Sequence, residues 1–347
     1  MEDRVSSLSR IAVRTAQALL LCCGTLVALQ TQAGTLEDVK ARGFVRCGVN
    51  TGLPGFSNPD EDGIYTGLDV DYCRGLAAAI FNDGEAVEYI PLSASKRFEA
   101  LVGGEIDVLA RNTTWTMSRD TAFGEYVGVS YYDGQGFMVR RKLGVNSATE
   151  LNGQRICVLN GTTTELNAVD YFSTNRMQVR YVKFETNSEL VEAYDSGRCD
   201  VYTTDRSGLA ALQLNLEKPS AHKILPEIVS KEPLGPVVRQ GDPVWEDIAR
   251  WTLNCWINAE EMGVGRRNVN GLLKSKVPSI RRLLGREGDF GKALGLSNSW
   301  CYNMVAIVGN YGEAYDRNVG PDTPLKLQRG VNALWTNGGL LYAPPIR

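Results

Sequence analysis

Short apolar runs and stretches of helical period alternate along most of the chain, and this alternation is the first guide to its architecture. Residues 44–49 and 85–92 read as strands, and between them a helix capped near Asp69 carries Cys73, Leu76, Ala77 and Ile80 on one face. The stretch RFEALVGGEIDVLARNTTWTMSR, residues 97–119, compresses the same grammar. Phe98, Leu101 and Val102 fall at helical spacing, Gly103 and Gly104 stop the helix, and Ile106, Val108 and Leu109 make the apolar run of a covered parallel strand. Further on, 155–159, 181–184 and a run from Cys199 to Asp205 read as strands, with helices at 188–194 and 207–214. Strands that alternate with helices predict an α/β fold built on parallel sheets.

The helix, glycine and strand of the 97–119 stretch return at an offset of 93. Glu99 matches Glu192, Ala100 matches Ala193, Gly104 matches Gly197, Asp107 matches Asp200 and Val108 matches Val201. Either the chain holds two similar lobes or it uses twice a pattern common in α/β proteins, and the sequence leaves both open.

The remaining segments fill in the order. A short entry helix is expected over 34–42, and a strand over 136–140 is expected to leave the first lobe. Residues 151–153 open the second. The segment 226–236 is proline-rich and breaks the pattern, after which 236–239 reads as a strand returning across a hinge. From Asp242 and Pro243 a long helix runs to about Met262, with Ile248, Thr252, Cys255 and Ala259 on one side. The expected divisions are 34–138 for the first part of lobe one, 139–237 for lobe two, and 238–347 for the completion of lobe one with a helical tail.

Composition adds compartment. The chain has 347 residues, 43% hydrophobic and 22% charged, enough for two cores. Arg4, Arg10 and Arg14 precede an apolar run over 18–29 and small residues near Ala33, which reads as a secretory signal occupying 1–33. The run is too short to span a bilayer. Its loss would shift the formal net charge from −3 to −4, a mild acidity that argues against a nucleic-acid partner. Six cysteines remain after the signal, an even set in an exported chain, and disulfides are the economical reading. Cys47 lies in a strand on which the helix of Cys73 packs, Cys157 and Cys199 lie in strands of one sheet, and Cys255 with Cys301 follows by elimination. No pair has C-x-x-C spacing and His222 is the single histidine, so no metal site and no cofactor are expected.

Candidate chemistry gathers at strand ends, where open α/β sheets bind ligands. The first strand runs out into Asn50 and a loop containing Leu53 and Phe56; the strand at 106–109 opens into Asn112 and Thr114, with Arg119 behind them. A guanidinium there is suited to hold a carboxylate bidentately. Thr162, Thr163 and Glu165 sit where a strand meets a helix start, either as a capping box or as a seat for an anion at the helix N-terminus. Asp205 ends the strand of the second repeat, either as the N-cap of the next helix or as a partner for an ammonium.

The motifs YTGLDVDYCR, RFEALVGGEIDVLARNTTWTMSRD, VLNGTTTELN, GRCDVYTTDRSGLAAL and GVNALWTNGGLLYAPPIR, in this order and spacing, resemble the periplasmic amino-acid-binding proteins of ABC uptake systems, in particular their general L-amino-acid branch. The resemblance covers essentially everything after the signal. It implies a type 2 periplasmic-binding-protein fold, two α/β lobes joined by a two-strand hinge with the ligand cleft between them. It also implies an extracytoplasmic monomer that captures free L-amino acids and delivers them to an inner-membrane ABC permease. Carried over by position, it puts the carboxylate-binding arginine on Arg119 with Thr114 beside it, the ammonium-binding aspartate on Asp205, and further carboxylate contacts on Thr162 and Thr163. Where many relatives set an aromatic residue over the ligand side chain, this chain has Leu53, with Phe56 three residues on, which fits a permissive pocket. Two other functions share the fold: a periplasmic cyclohexadienyl dehydratase, which needs a free general acid that the sequence does not offer, and a binding protein reporting to a chemoreceptor.

Overall fold

Two five-stranded sheets organise the chain in a computed structural model that describes residues 34–347. The expected signal segment, 1–33, lies outside the described residues. In the first sheet the spatial order is Val87–Leu92, Val45–Asn50, Val108–Leu109, Val237–Val238, Glu125–Tyr126. The first three are parallel, and Val237–Val238 runs antiparallel to both its neighbours. The second sheet repeats the plan, with Arg180–Phe184, Arg155–Leu159 and Val201–Asp205 parallel, then Gln135–Arg140 and His222–Ile224 antiparallel. The strand expected to leave the first lobe is thus part of the second sheet, and the residue 138/139 boundary falls inside it.

The short sequence repeat is a structural repeat. Gly104 and Gly197 both adopt left-handed φ, 74° and 84°, and just after them Glu105 N and Arg198 N donate back to Ala100 O and Ala193 O, each at 2.9 Å. Asp107 and Asp200 then do the same work in their own sheets. Each accepts a backbone N–H from the neighbouring strand, from Arg46 at 2.7 Å and from Arg155 at 3.0 Å, and each also takes that arginine's guanidinium. The helix, glycine, aspartate and strand grammar therefore fixes one local geometry twice.

Two segments cross between the sheets. Tyr131–Asp133 and Glu232–Leu234 pair antiparallel, with Glu232 opposite Asp133 and Leu234 opposite Tyr131. The crossing also anchors the loop that carries the first-lobe candidates, since Trp115 N donates to Pro233 O at 2.8 Å and Gly235 N to Thr113 O at 3.1 Å.

The C-terminal third packs its helices on the helix Leu68–Phe81 of the first lobe. The helix Pro243–Glu261 packs with Trp300–Val308 on the helix Leu68–Phe81, and its proline and its Asp242 cap, which accepts from Trp245 N, start it as the sequence suggests. Trp245 and Trp256 are buried there, and the Trp245 indole donates to Asp107 O at 2.8 Å. Tyr311 donates to Ser130 O at 2.7 Å and Asn332 bonds both the N–H and the C=O of Tyr132, so the tail fastens the outgoing crossing segment. All three expected disulfides are formed, Cys47 with Cys73, Cys157 with Cys199 and Cys255 with Cys301. Among the described residues no disulfide links one five-stranded sheet to the other.

The cap near Asp69 is corrected. The N-cap lies two residues earlier, at Gly67 with φ 137°, where an added Cβ would meet Phe56 O at 2.1 Å. Only glycine fits so close a crossing of the preceding turn. Asp69 is left inside the helix, buried. Among the described residues no helix is long and apolar enough to cross a membrane.

Candidate functional site

The strand ends of both sheets meet at a cleft between the lobes. Asn50, Leu53, Asn112 and Thr114 line it from the first lobe, and Thr162, Thr163 and Asp205 from the second. The lobes touch: Cα of Ser95 comes within 3.3 Å of where a side chain on Gly161 would begin, a gap that residue 161 keeps open by having none. Asn187 Nδ2 reaches Asn50 Oδ1 and Gly52 O, each at 3.2 Å, and Ser95 donates to Glu185 at 2.8 Å.

The first-lobe wall is a hydrogen-bonded unit. Asn50 donates to Asn112 Oδ1 at 3.0 Å, and Asn112 holds a left-handed φ of 36°, a conformation asparagine tolerates better than most residues. Its N–H donates to Asp69 at 2.8 Å. Burial raises the Asp69 carboxyl to about 7, against the pull of the Asn112 N–H and of Arg111.

Arg119 stands behind Thr114 and is 8% exposed. Its Nη1 donates to Thr114 O at 3.0 Å, and Tyr126 donates to the same carbonyl at 2.7 Å. Trp115 stacks on Tyr126 with centroids 5.4 Å apart and planes 3° from parallel. Burial lowers the Arg119 pKa, opposed by Tyr126, Glu232 and Asp205. The side chain is thus preset against the cleft wall, one bond deep. Phe56, by contrast, turns away from the cleft. Leu53 and Ser57 exchange backbone bonds at 2.8 and 3.0 Å, and this tight turn drives Phe56 into the core, edge-on to Tyr131 at 5.3 Å.

On the second-lobe side Thr162 caps the helix Thr163–Thr174, accepting from Glu165 N at 3.2 Å. Only half of the expected capping box forms, because the Glu165 carboxylate reaches Gly161 N instead. Asp205 sits at the N-cap position of Arg206–Gln213 but its carboxylate caps no backbone N–H. It is buried and in no salt bridge among the described residues. Burial raises its pKa well above the usual range, the carboxylates of Asp133 and Glu232 push the same way, and Arg97 and Arg119 oppose. A cation arriving there would relieve all three raising effects or offset them.

Sequence reasoning missed four of the polar groups. Arg97 and Arg111 line the cleft, as does Asn187. Glu232, on the returning crossing segment, joins the lobes: it accepts from Thr114 Oγ1 at 2.6 Å and Thr163 Oγ1 at 3.0 Å, and from Asn167 and Ser230 at 2.7 and 2.5 Å. Arg111 precedes Asn112 at the same strand end, so the strand-end rule could have found it. Arg97 gave no such signal.

The chain matches the family model of bacterial extracellular solute-binding proteins, family 3, over residues 45–254. It is 56% identical to the general L-amino acid-binding periplasmic protein of Rhizobium johnstonii, over 95% of this chain and 97% of that one. It is 51% identical to the glutamate/glutamine/aspartate/asparagine-binding protein of Rhodobacter capsulatus, covering 93% and 96%. Among solved structures, an ABC transporter periplasmic binding protein from Brucella ovis with glutathione bound superposes with a TM-score of 0.89 at 55% identity, covering 91% of this chain and 100% of that one.

Proposed function

The chain belongs to family 3 of the bacterial extracellular solute-binding proteins, and on that premise we propose that it captures free L-amino acids in the periplasm and hands them to an inner-membrane ABC permease. The carrying observation is the cleft itself: a buried Asp205 carboxylate with no capping bond lines it from one lobe, Arg97 and Arg111 line it from the other, and Arg119 stands behind Thr114. A zwitterion needs both signs of partner to leave water, and this cleft offers both from different lobes. In this reading Arg119 takes the α-carboxylate together with the Thr114 and Thr163 hydroxyls turned from Glu232 and the Thr162 hydroxyl turned from Leu159 O, Asp205 takes the ammonium, and Leu53 meets the side chain. The names of the relatives at 51 and 56% identity support the ligand class, and that of the relative at 56% supports the compartment. The protein works as an exported monomer, its signal cut near Ala33, and it turns over nothing: the cleft acid Asp205 is committed to the ammonium.

Calorimetry of the purified protein against a panel of L-amino acids is the direct test, with binding of several at one site per chain expected. Incubation with prephenate or arogenate guards the other side. Steady release of an aromatic product would replace the binding reading with a dehydratase.

A further inference from the structure

Glu232 is 1% exposed, and each oxygen of its carboxylate takes two donors. Oε1 accepts from Asn167 and Ser230, and Oε2 accepts from the hydroxyls of Thr114 and Thr163. Those two hydroxyls come from different lobes and lie 3.3 Å apart, so a single carboxylate oxygen bridges the cleft. The charge of Glu232 also reaches Arg119, where it opposes the fall in pKa that burial imposes. Two hydroxyls and the field of an arginine are what the α-carboxylate of an amino acid would call on in the same place.

A hydroxyl carries one proton. Thr114 and Thr163 therefore cannot donate to Glu232 and to a ligand at once, and a second carboxylate cannot settle beside Oε2 while both protons still point there, because two buried like charges would share the donors of one. Glu232 is not free to follow its donors away. Its backbone is paired with Asp133 in the crossing, and its other oxygen stays held by Asn167 and Ser230. Whatever a ligand gains from the two hydroxyls is thus offset by a buried oxygen of Glu232 that loses them.

Resting on the amino-acid-binding reading above, we infer that Glu232 is a built-in rival of the ligand's α-carboxylate: it clasps the two lobes through Thr114 and Thr163, and a bound amino acid must take both hydroxyls from it. The clasp draws the lobes together without ligand and lowers affinity for every amino acid by the same exchange. It also favours release, since Glu232 waits beside the hydroxyls and retakes them as the carboxylate departs.

Two measurements test this. Glu232→Gln keeps the shape, removes the charge, and offers the hydroxyls an amide N–H to accept, which leaves their protons for a ligand. L-Alanine should bind this variant about tenfold more tightly than the unaltered protein. A residue that merely braced the crossing would give weaker binding when neutralised. A gain under about threefold, or a loss, overturns the inference and leaves the transport reading in place, whereas failure of the unaltered protein to bind any amino acid removes the transport reading and the displacement with it. The second measurement uses no ligand: by small-angle scattering, Glu232→Ala and Thr163→Val should each have a larger radius of gyration than the unaltered protein. An unchanged radius in both overturns the clasp. Should either Glu232 variant not fold, Thr163→Val cuts the same bridge from the other side and decides.

Discussion

Asn187 of the second lobe and Asn50 of the first are hydrogen-bonded across the cleft, Nδ2 to Oδ1 at 3.2 Å. Asn187 begins the helix Asn187–Asp195 and Asn50 ends the strand Val45–Asn50, so the contact joins the start of a second-lobe helix to the end of a first-lobe strand. Replacing Asn187 with Ala removes it together with the Gly52 contact while leaving both carboxylate and ammonium partners in place. Affinity for every amino acid should fall by a common factor, worth about 1 kcal/mol per lost bond. Small-angle scattering should show compaction on ligand addition in the unaltered protein and less of it in the variant. Binding without any compaction in the unaltered protein would mean that the lobes do not close on the ligand, though the site would stand.

Arg119→Lys keeps a positive charge but loses the planar fork that holds Thr114 O behind the cleft wall. Glycine, alanine, leucine and glutamate should all weaken, on the order of 2 kcal/mol or more each. Asp205→Asn should weaken them likewise by removing the charge that meets the ammonium. Normal affinity in either variant would move the α-carboxylate or the ammonium elsewhere.

Asp69 gives the protein a pH signature. Its folded pKa, about 7, lies above the ordinary value of 3.8, so its contribution to stability is complete below that ordinary value and is lost as pH rises through about 7. At pH 8 the buried charge works against the fold. Asp69→Asn keeps an oxygen for the Asn112 N–H and should therefore be more stable than the parent at pH 8, on the order of a few kcal/mol, with the gain gone by about pH 4. Urea midpoints at the two pH values measure it. Identical midpoints at both would mean that Asp69 ionises there without difficulty.

The Cys157–Cys199 bridge closes a loop of sequence separation 42 inside the second sheet. Replacing both with Ala should lower unfolding free energy by roughly 3 to 4 kcal/mol in the chain-entropy picture, read from denaturant curves. Peptide mapping without reduction should recover the three pairs. Free thiols at these two positions would contradict the strand adjacency that brings them together.

Much of this was legible in the sequence because periodic elements carry periodic signals. The strand-end rule found Asn50, Asn112, Thr114 and Asp205, and the repeat at Asp107 and Asp200 proved to be two copies of one strand-bracing device. What escaped lacks such a signal. Glu232 lies in a proline-rich connection with no period, and its role depends on hydroxyls more than a hundred residues upstream in one case and about seventy in another. Arg97 opens a helix, where a charged residue ordinarily faces water, and its burial beside Arg111 and Arg119 depends on tertiary packing that no local pattern announces. Phe56 was misread for the converse reason: in an irregular turn, three residues of spacing say nothing about direction.

Trp115 stacks flat on Tyr126, whose hydroxyl shares the Thr114 carbonyl with Arg119, and its own backbone N–H is bound to the returning crossing segment. The other tryptophans lie on the helices Pro243–Glu261 and Trp300–Val308 or in the tail near Trp335. The protein is thereby supplied with an intrinsic optical reporter. An indole 38% exposed, coupled both to the arginine's anchor and to the hinge, should change its emission as the cleft fills, and Trp115→Phe should abolish that change. Mixing experiments on a millisecond time base can then separate ligand encounter from lobe movement without attaching a dye.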